Sequence, residues 1–232
     1  MKLAELAFAC YIYGPMTEYD SSYIQFLEKT KPQLDLNSEQ HRYALLKWLN
    51  DWKCRQFAID YHGLASEEIR KWFQEVGNQL FSLDKMLLDL SDDDLASVRT
   101  AYAELVNRTA SIRASSSGGK SRVKFGPTGT AKLLFAFRPN SMIPWDKPMR
   151  RRFQFDGSAG DYVNYLKIVR ENLEELNDNC KRNGHNLSEL PQLLGRPISS
   201  LTKLIDEYFW VMVTRKCPAP TSQKLLEWEK WW

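Results

Sequence analysis

Apolar residues recur at intervals of three and four positions along most of this chain, which is the spacing of amphipathic helices. Serine caps and Gly/Pro breaks divide the pattern into segments. The predicted helices cover residues 1–13, 16–31, 38–59, 66 onward, 91–113, 129 onward, 161–181, 188–194 and 199–213, with a final short helix or tail within 218–232. No stretch alternates polar and apolar residues with a period of two, so we predict an all-α fold.

The most distinctive stretch lies in the middle of the chain. It reads as a glycine turn at 125–129 that opens a short apolar helix, a loop rich in Pro, Asn and Ser, and then Asp146 at the start of the next helix. Residues 120–152 contain nine Lys and Arg against Asp146 alone, a net charge of +8, whereas the whole chain is only +3. This charge indicates a polyanionic partner and a carboxylate that acts near it. The alternative is a solvated basic face with Asp146 as an ordinary helix cap.

The motifs in this stretch resemble a known family. Gly129-Thr130 at one helix start and Ile143-Pro144-Trp145-Asp146 at the next resemble the helix-hairpin-helix DNA glycosylase superfamily, in particular its oxoguanine-glycosylase-like branch. In that branch a Gly-x-Gly-Thr hairpin lies on the DNA backbone, a Val-Pro-x-Asp segment supplies the catalytic aspartate, and an intervening lysine is the amine nucleophile of bifunctional members. The segment Ala-Lys-Leu-Leu-Phe at 131–135 is also similar to bacterial relatives, some of them phage-defence glycosylases that act on hypermodified bases.

The resemblance implies a catalytic role for Asp146 and for the amine of Lys132, without a cofactor. It implies that two sets of residues bind the phosphates of double-stranded DNA. The first set is the hairpin, Gly126, Thr128, Gly129 and Thr130, and the second is the nearby basic side chains, Lys120, Arg122, Lys124, Lys147, Arg150, Arg151 and Arg152. The flipped base would lie against Trp145, Asp206, Tyr208 and Trp210. We also expect one unit of two lobes, about 38–155 and 1–37 with 156–232, around a central cleft that residues 14–31 and 199–213 close.

These residue types suit the cleavage of an N-glycosidic bond. Positive charge develops on the deoxyribose in the transition state, so a carboxylate near the anomeric carbon stabilises it and can activate water or an amine. A lysine in a buried, cationic setting can attack the sugar and form a Schiff base. Asp206 lies in a mostly apolar predicted helix, and a buried carboxylate must be paired or used. Pairing with a nearby arginine and contact with the flipped base are the two interpretations.

The substrate that we expect is a modified base in double-stranded DNA. Glucosylated hydroxymethylcytosine in phage DNA comes first and an oxidised purine second, both from the resemblance alone. The hairpin departs from the family pattern, since Gly126 and Pro127 are exchanged and Lys132 lies one position late. These departures favour a rival hypothesis, a non-catalytic DNA-binding module of the same fold.

Three further patterns have simpler explanations. The run 114–121 imitates the end of a phosphate-binding P-loop but follows a helical stretch, and we interpret it as a mobile basic loop. Ser91-Asp92-Asp93-Asp94 is interpreted as a capping box rather than a metal site. Four Cys and three His lack zinc-ligand spacing, and the N-terminal stretch lacks a signal-peptide pattern. We therefore expect reduced thiols and a cytoplasmic monomer without a membrane segment.

Overall fold

The computed structural model describes residues 1–114, 119–217 and 220–229. Within these ranges the chain is mainly helical, which confirms the predicted class, and it adds one two-stranded antiparallel sheet. In chain order the elements are α1 (Leu3–Met16), α2 (Tyr19–Lys29), α3 (Glu39–Asp51), α4 (His62–Glu75), α5 (Asp92–Val106), β1 (Thr109–Ala114), β2 (Lys120–Lys124), α6 (Gly126–Phe137), α7 (Lys147–Arg152), α8 (Ala159–Arg182), α9 (Leu190–Leu193), α10 (Leu201–Phe209), a π-helical turn (Trp210–Thr214) and α11 (Ser222–Glu229).

Predicted caps begin two of these helices. Ser38 accepts a hydrogen bond from the amide of His41 at the start of α3. Ser91 and Asp94 form a reciprocal capping box at the start of α5, which confirms the interpretation of the acidic run. Asp94 also accepts from Lys85 Nζ at 2.6 Å. The first turn of α5 is acidic because carboxylates there satisfy free amides and oppose the positive end of the helix dipole.

The helix boundaries near residues 50–65 differ from the prediction. α3 ends at Asp51, well before 59, because the chain turns at Lys53, whose φ of 62° is left-handed. His62 lies inside the first turn of α4, so it opens a helix instead of separating two. The intervening loop is tied down by Gln56, whose side chain donates to the Phe125 carbonyl at 2.8 Å.

A β-hairpin is formed by β1 and β2, between residues 109 and 124. The sequence predicts the end of a helix there, followed by a mobile basic loop. β1 and β2 pair antiparallel, with Ile112 opposite Arg122. Because side chains alternate along a strand, Lys120, Arg122 and Lys124 project from the same face of β2. The P-loop alternative for 114–121 is also wrong, since its two ends are paired strand positions rather than a loop entering a helix. Residues 115–118 of that run lie outside the described ranges.

Buried side chains from both predicted lobes belong to one contiguous hydrophobic core. It includes Leu6 of α1, Trp48 of α3, Leu133 of α6, Tyr162 of α8 and Leu204 of α10. The four cysteines, all within the described ranges, are free thiols. Among the helices of the described part, none combines the length and the apolar character needed to cross a bilayer.

Candidate active site

Asp146 is the N-cap of α7, which confirms its predicted place at a helix start. Its Oδ1 accepts a hydrogen bond from the Met149 amide at 2.9 Å, and its Oδ2 accepts from Thr214 Oγ1 at 2.7 Å. The side chain is only half-buried. Since both oxygens have a protein donor, the carboxylate is held in one orientation at the edge of the core.

Thr214 reaches Asp146 from the π-helical turn that follows α10. This turn, Trp210–Thr214, packs against α7. π-helical turns are rare and frequently occur at functional sites. Sequence reasoning missed Thr214 because the apolar pattern predicts a plain helix through Val213, and a π-helical turn has no local sequence signal that could have revealed it.

Lys132 lies on α6 with its amine at a fixed point. Nζ donates to the Trp52 carbonyl at 2.6 Å and lies 5.3 Å from the centroid of the Trp52 ring. Trp52 is the C-cap of α3, so the ammonium is bound at the negative end of a helix dipole. The lysine is half-buried. The predicted nucleophile is thus bound to a backbone carbonyl instead of a carboxylate.

Asp206 on α10 is buried, with 6% of its surface exposed. Within the described ranges its carboxyl makes no hydrogen bond or ion pair. Burial raises its pKa to about 7, while Lys203 and Lys132 lower the pKa and Asp146 raises it. Asp206 is therefore within electrostatic range of both predicted catalytic residues. The pairing with an arginine that the sequence left open is not made by Asp206.

Its neighbour Glu207 makes that pairing instead. Glu207 Oε1 accepts from Lys203 Nζ and from Arg196 Nη2, each at 2.6 Å. Asp20 of α2 also pairs with both cations. We call Asp20, Arg196, Lys203 and Glu207 the paired cluster. Sequence reasoning missed it, although the spacing of Lys203 and Glu207 by one helical turn was an available signal.

Lys203 is fully buried inside the paired cluster. Its ammonium lies 4.4 Å from the ring centroid of Tyr13 and 5.5 Å from that of Trp52. Burial by itself would lower the pKa of Lys203, but the neighbouring carboxylates, Glu207 first, raise it above its ordinary value. The Trp52 ring therefore has the Lys203 ammonium and the Lys132 ammonium at similar distances.

Aromatic rings border the region between Asp146 and Trp52. Tyr19 lies 6.0 Å from Trp52 and 5.8 Å from Trp210, measured between ring centroids. Burial raises the pKa of Tyr19, Arg215 lowers it and Asp146 raises it. Trp210, a predicted base-pocket residue, thus shares a neighbour with the candidate catalytic aspartate.

The other two predicted base-pocket aromatics lie elsewhere. Trp145 is buried in the core, and its indole N–H donates to the Pro127 carbonyl at 3.1 Å. This position gives Trp145 a packing role. Tyr208 lines a cavity of about 440 Å³ together with Arg152 and Met212, and the lining of that cavity includes neither the two aspartates nor Lys132.

The predicted DNA-binding cations divide into exposed and packed side chains. Arg150 is packed, with its guanidinium carbon 5.7 Å from the Trp145 ring centroid, and burial lowers its pKa. The remaining cations are exposed on β2 and α7, namely Lys120, Arg122, Lys124, Lys147, Arg151 and Arg152. These six side chains form what we call the cationic surface.

The start of α6 corrects the expected hairpin. The helix begins at Gly126, because φ of 66° there turns the chain and Pro127 favours a first helical turn. Gly129 and Thr130 are therefore buried in the second turn, and a Cβ at position 129 would lie 2.3 Å from the Gln56 side-chain nitrogen. Gly126 and Thr128 are half-buried at the helix start. The element before the turn is strand β2 instead of a helix.

Neither a metal centre nor a known relative guides the assignment. In the described ranges, no group of three or more His, Cys, Asp or Glu is arranged to hold a metal ion. No protein-family model matches the chain, and comparison with curated proteins and with solved structures finds no significant similarity. Any functional assignment therefore depends on the residues of the site and their geometry.

Proposed function

We propose that the protein is a DNA glycosylase that flips a modified base out of the duplex and cleaves its N-glycosidic bond. The observation that carries this proposal is that Asp146 and Lys132, which come from two separate elements, both act electrostatically on the buried carboxyl of Asp206 on a third. Lys132 lies over the ring of Trp52, and Asp146 acts on Tyr19, whose ring is a neighbour of Trp52. An oriented carboxylate, an amine and a second buried carboxylate are the groups that this reaction uses.

Asp146 stabilises the positive charge that develops on the deoxyribose. Its two hydrogen bonds, from Met149 and Thr214, fix its orientation before the substrate arrives, so little reorganisation is needed in the transition state. Lys132 supplies the amine for a covalent step at the sugar, which would give the enzyme an abasic-site lyase activity as well.

The flipped base lies against Trp210 and Asp206. Aromatic rings offer a stacking surface, and an unpaired buried carboxylate accepts N–H donors from a base edge. Extrusion of the base costs a few kcal/mol of unstacking, and a modified base lowers this cost. We propose glucosylated hydroxymethylcytosine as the first substrate to test and an oxidised purine as the second.

The duplex rests on the cationic surface. Exposed Lys and Arg side chains on β2 and α7 neutralise phosphates without reading sequence. A second candidate function, a non-catalytic DNA-binding module, is favoured by the burial of Gly129 and Thr130, because these residues cannot present their amides to a phosphate. The two functions differ in whether Asp146 is needed for a reaction or only for a helix cap.

The test is base release from duplexes that contain oxoguanine, uracil, hydroxymethylcytosine or its glucosylated form, read as alkali-sensitive strand breaks. We expect breaks at one modified base, and a loss of at least about 100-fold in Asp146→Asn. The matched control is Asp94→Asn, which alters the capping carboxylate of α5 outside the site. Salt-sensitive binding without breaks on any duplex would reject the glycosylase in favour of the binding module.

A further inference from the structure

The hairpin of β1 and β2 is anchored where β1 begins and β2 ends. Near that end Ser111 is buried, and its hydroxyl donates to the Gln56 carbonyl at 2.7 Å. Lys124 Nζ donates to Asn107 Oδ1 at 2.8 Å, and β1 packs against α4. Towards the opposite end, side chains on both faces of the hairpin are exposed. These residues form what we call the free end, namely Arg113, Ala114, Lys120 and Ser121.

The free end and the position next to it present cations on both faces of the hairpin. Side chains alternate along a strand, and paired residues of neighbouring strands share a face. Arg113 is paired with Ser121, so these two side chains lie on one face. Lys120 and Arg122 flank Ser121 and lie on the other face. Within the described ranges, the side chains of Arg113, Lys120 and Arg122 make no hydrogen bond or ion pair.

Cations on two opposite faces fit a partner that has phosphates on both sides. A flat contact with DNA would use the cations of one face only. The grooves of a duplex instead have a phosphate backbone along each wall, so a ribbon inside a groove can place one face against each strand. Charge complementarity therefore favours a groove of duplex DNA over a flat surface as the partner of the free end.

The size of the hairpin selects between the two grooves. Stacked sheets lie about 10 Å apart, so a single ribbon with side chains on both faces is about 10 Å thick. The major groove of B-DNA is about 12 Å wide and about 8.5 Å deep, whereas the minor groove is about 6 Å wide. The exposed stretch from Arg122 to Lys120 extends over about 7 Å, which is close to the depth of the major groove.

We propose that the free end enters the major groove of duplex DNA, with Arg113 against one phosphate backbone and Lys120 and Arg122 against the other. This inference rests on the proposed function only through the binding of DNA, which the glycosylase and the binding module share. The exposed cations of α7 contact phosphates from outside the groove. The hairpin thus adds a groove contact and a further cation, Arg113, to the cationic surface.

The experiment is methylation of a mixed-sequence duplex by dimethyl sulfate, with the duplex saturated by protein at low salt. The reagent attacks guanine N7 in the major groove and adenine N3 in the minor groove, so both grooves are measured in one sample. We expect wild type to slow methylation at guanine N7 and to leave the rate at adenine N3 equal to that of free DNA. No base release is needed for this measurement.

Two matched triple variants separate the groove contact from phosphate contacts in general. The ribbon variant combines Arg113→Gln, Lys120→Gln and Arg122→Gln. The control combines Lys147→Gln, Arg151→Gln and Arg152→Gln, which removes the same exposed residue types from α7. Each variant should lower the slope of log K against log salt by about 2.7, about 0.9 for each phosphate contact. At saturation, the ribbon variant should return guanine N7 to the rate of free DNA, whereas the control should keep it slow. Neither should change the melting temperature.

Three outcomes would overturn the inference. Slower methylation at adenine N3 instead of guanine N7 would place the protein in the minor groove. Equal protection of guanine N7 by the two variants would show that the hairpin is not the element in the major groove. An unchanged salt slope in the ribbon variant would remove the free end from the DNA and favour another partner, such as an acidic protein.

Two further outcomes separate this inference from the proposed function. If wild type does not bind any duplex, the proposed function is rejected together with the groove contact. If wild type protects guanine N7 through the hairpin but releases no base, the glycosylase is rejected and the groove contact stands.

Discussion

The paired cluster and the candidate site both border the ring of Trp52, yet their charges are satisfied differently. In the paired cluster two cations and two carboxylates neutralise one another within hydrogen-bonding distance. In the candidate site Lys132 is bound to a backbone carbonyl, and Asp206 has no partner in the described ranges. Buried charges that are paired can be accounted for by the fold, whereas an unpaired one costs stability unless a ligand or a reaction uses it. Asp206 and Glu207, adjacent on one helix, differ in this way, although only Oε1 of Glu207 is paired and its Oε2 is buried without a hydrogen-bond partner.

The largest expected effect breaks the paired cluster. Glu207→Gln leaves the buried Lys203 and the half-buried Arg196 with Asp20 as their one remaining carboxylate, and the loss of one partner of a buried pair typically costs about 3–5 kcal/mol. Urea denaturation at pH 7 measures this loss in the free energy of unfolding. A cost below about 1 kcal/mol would mean that the cluster is solvated and that the contrast with Asp206 is false.

The next effect has the opposite sign and comes from the neighbouring residue. The pKa of Asp206 is raised in the folded state, so the carboxyl is neutral in both states below about pH 4, and the folded protein loses stability as pH rises through about 7. Asp206→Asn should therefore stabilise the protein by roughly 2–4 kcal/mol at pH 8 and have little effect at pH 4. Thermal melts across this range test the prediction. Destabilisation at pH 8 would indicate that Asp206 is paired in solution.

A smaller effect concerns the support of Asp146. Thr214→Val removes the hydrogen bond to Oδ2 at nearly constant volume, and a bond to a charged group is worth about 1.5–3 kcal/mol. We expect single-turnover base release to slow by about 10- to 100-fold, whereas Thr214→Ser, which keeps the hydroxyl, should stay close to wild type. Equal rates for the Val and Ser variants would show that the π-helical turn does not orient the aspartate.

The smallest effect separates exposed from packed arginines. Arg122→Ala on the cationic surface should reduce the salt dependence of DNA binding by about one phosphate contact and leave the melting temperature unchanged. Arg150→Ala should lower the melting temperature and leave the salt dependence of DNA binding unchanged, because the Arg150 guanidinium packs on Trp145. Fluorescence anisotropy at several salt concentrations, combined with thermal melts, measures both quantities. A weaker salt dependence of DNA binding in Arg150→Ala would indicate that Arg150 contacts a DNA phosphate.

Local signals in the sequence predicted a large part of the fold. The caps Ser38 and Ser91, and Asp146 at the start of a helix, depend on contacts within one turn, so the residue types alone were sufficient. The β-hairpin was missed because its alternation is carried by Lys120, Arg122 and Lys124 instead of by apolar residues. A strand with a basic face and a short length has little of the usual strand pattern.

Sequence reasoning proposed the members of the candidate site but not the connections between them. Asp146, Lys132 and Asp206 were chosen from motif and helix context, but their hydrogen-bond partners are distant in the chain. Thr214 lies 68 residues from Asp146, and Trp52 lies 80 residues from Lys132. Such contacts depend on how helices pack, which no local pattern encodes. For the same reason the sequence left open whether Asp206 or another acid pairs with an arginine.

The contiguous core has a mechanical consequence for the proposed reaction. Close-packed interiors yield little under load, and here one core includes residues of both predicted lobes, from Leu6 to Leu204. On the proposed function, two lobes that share one core would not move towards each other around the substrate, so the DNA duplex would have to bend to fit the protein. Bending a short duplex costs on the order of 1–6 kcal/mol and depends on its stiffness. Recognition would then begin as a test of how easily the DNA bends, before any base is inspected.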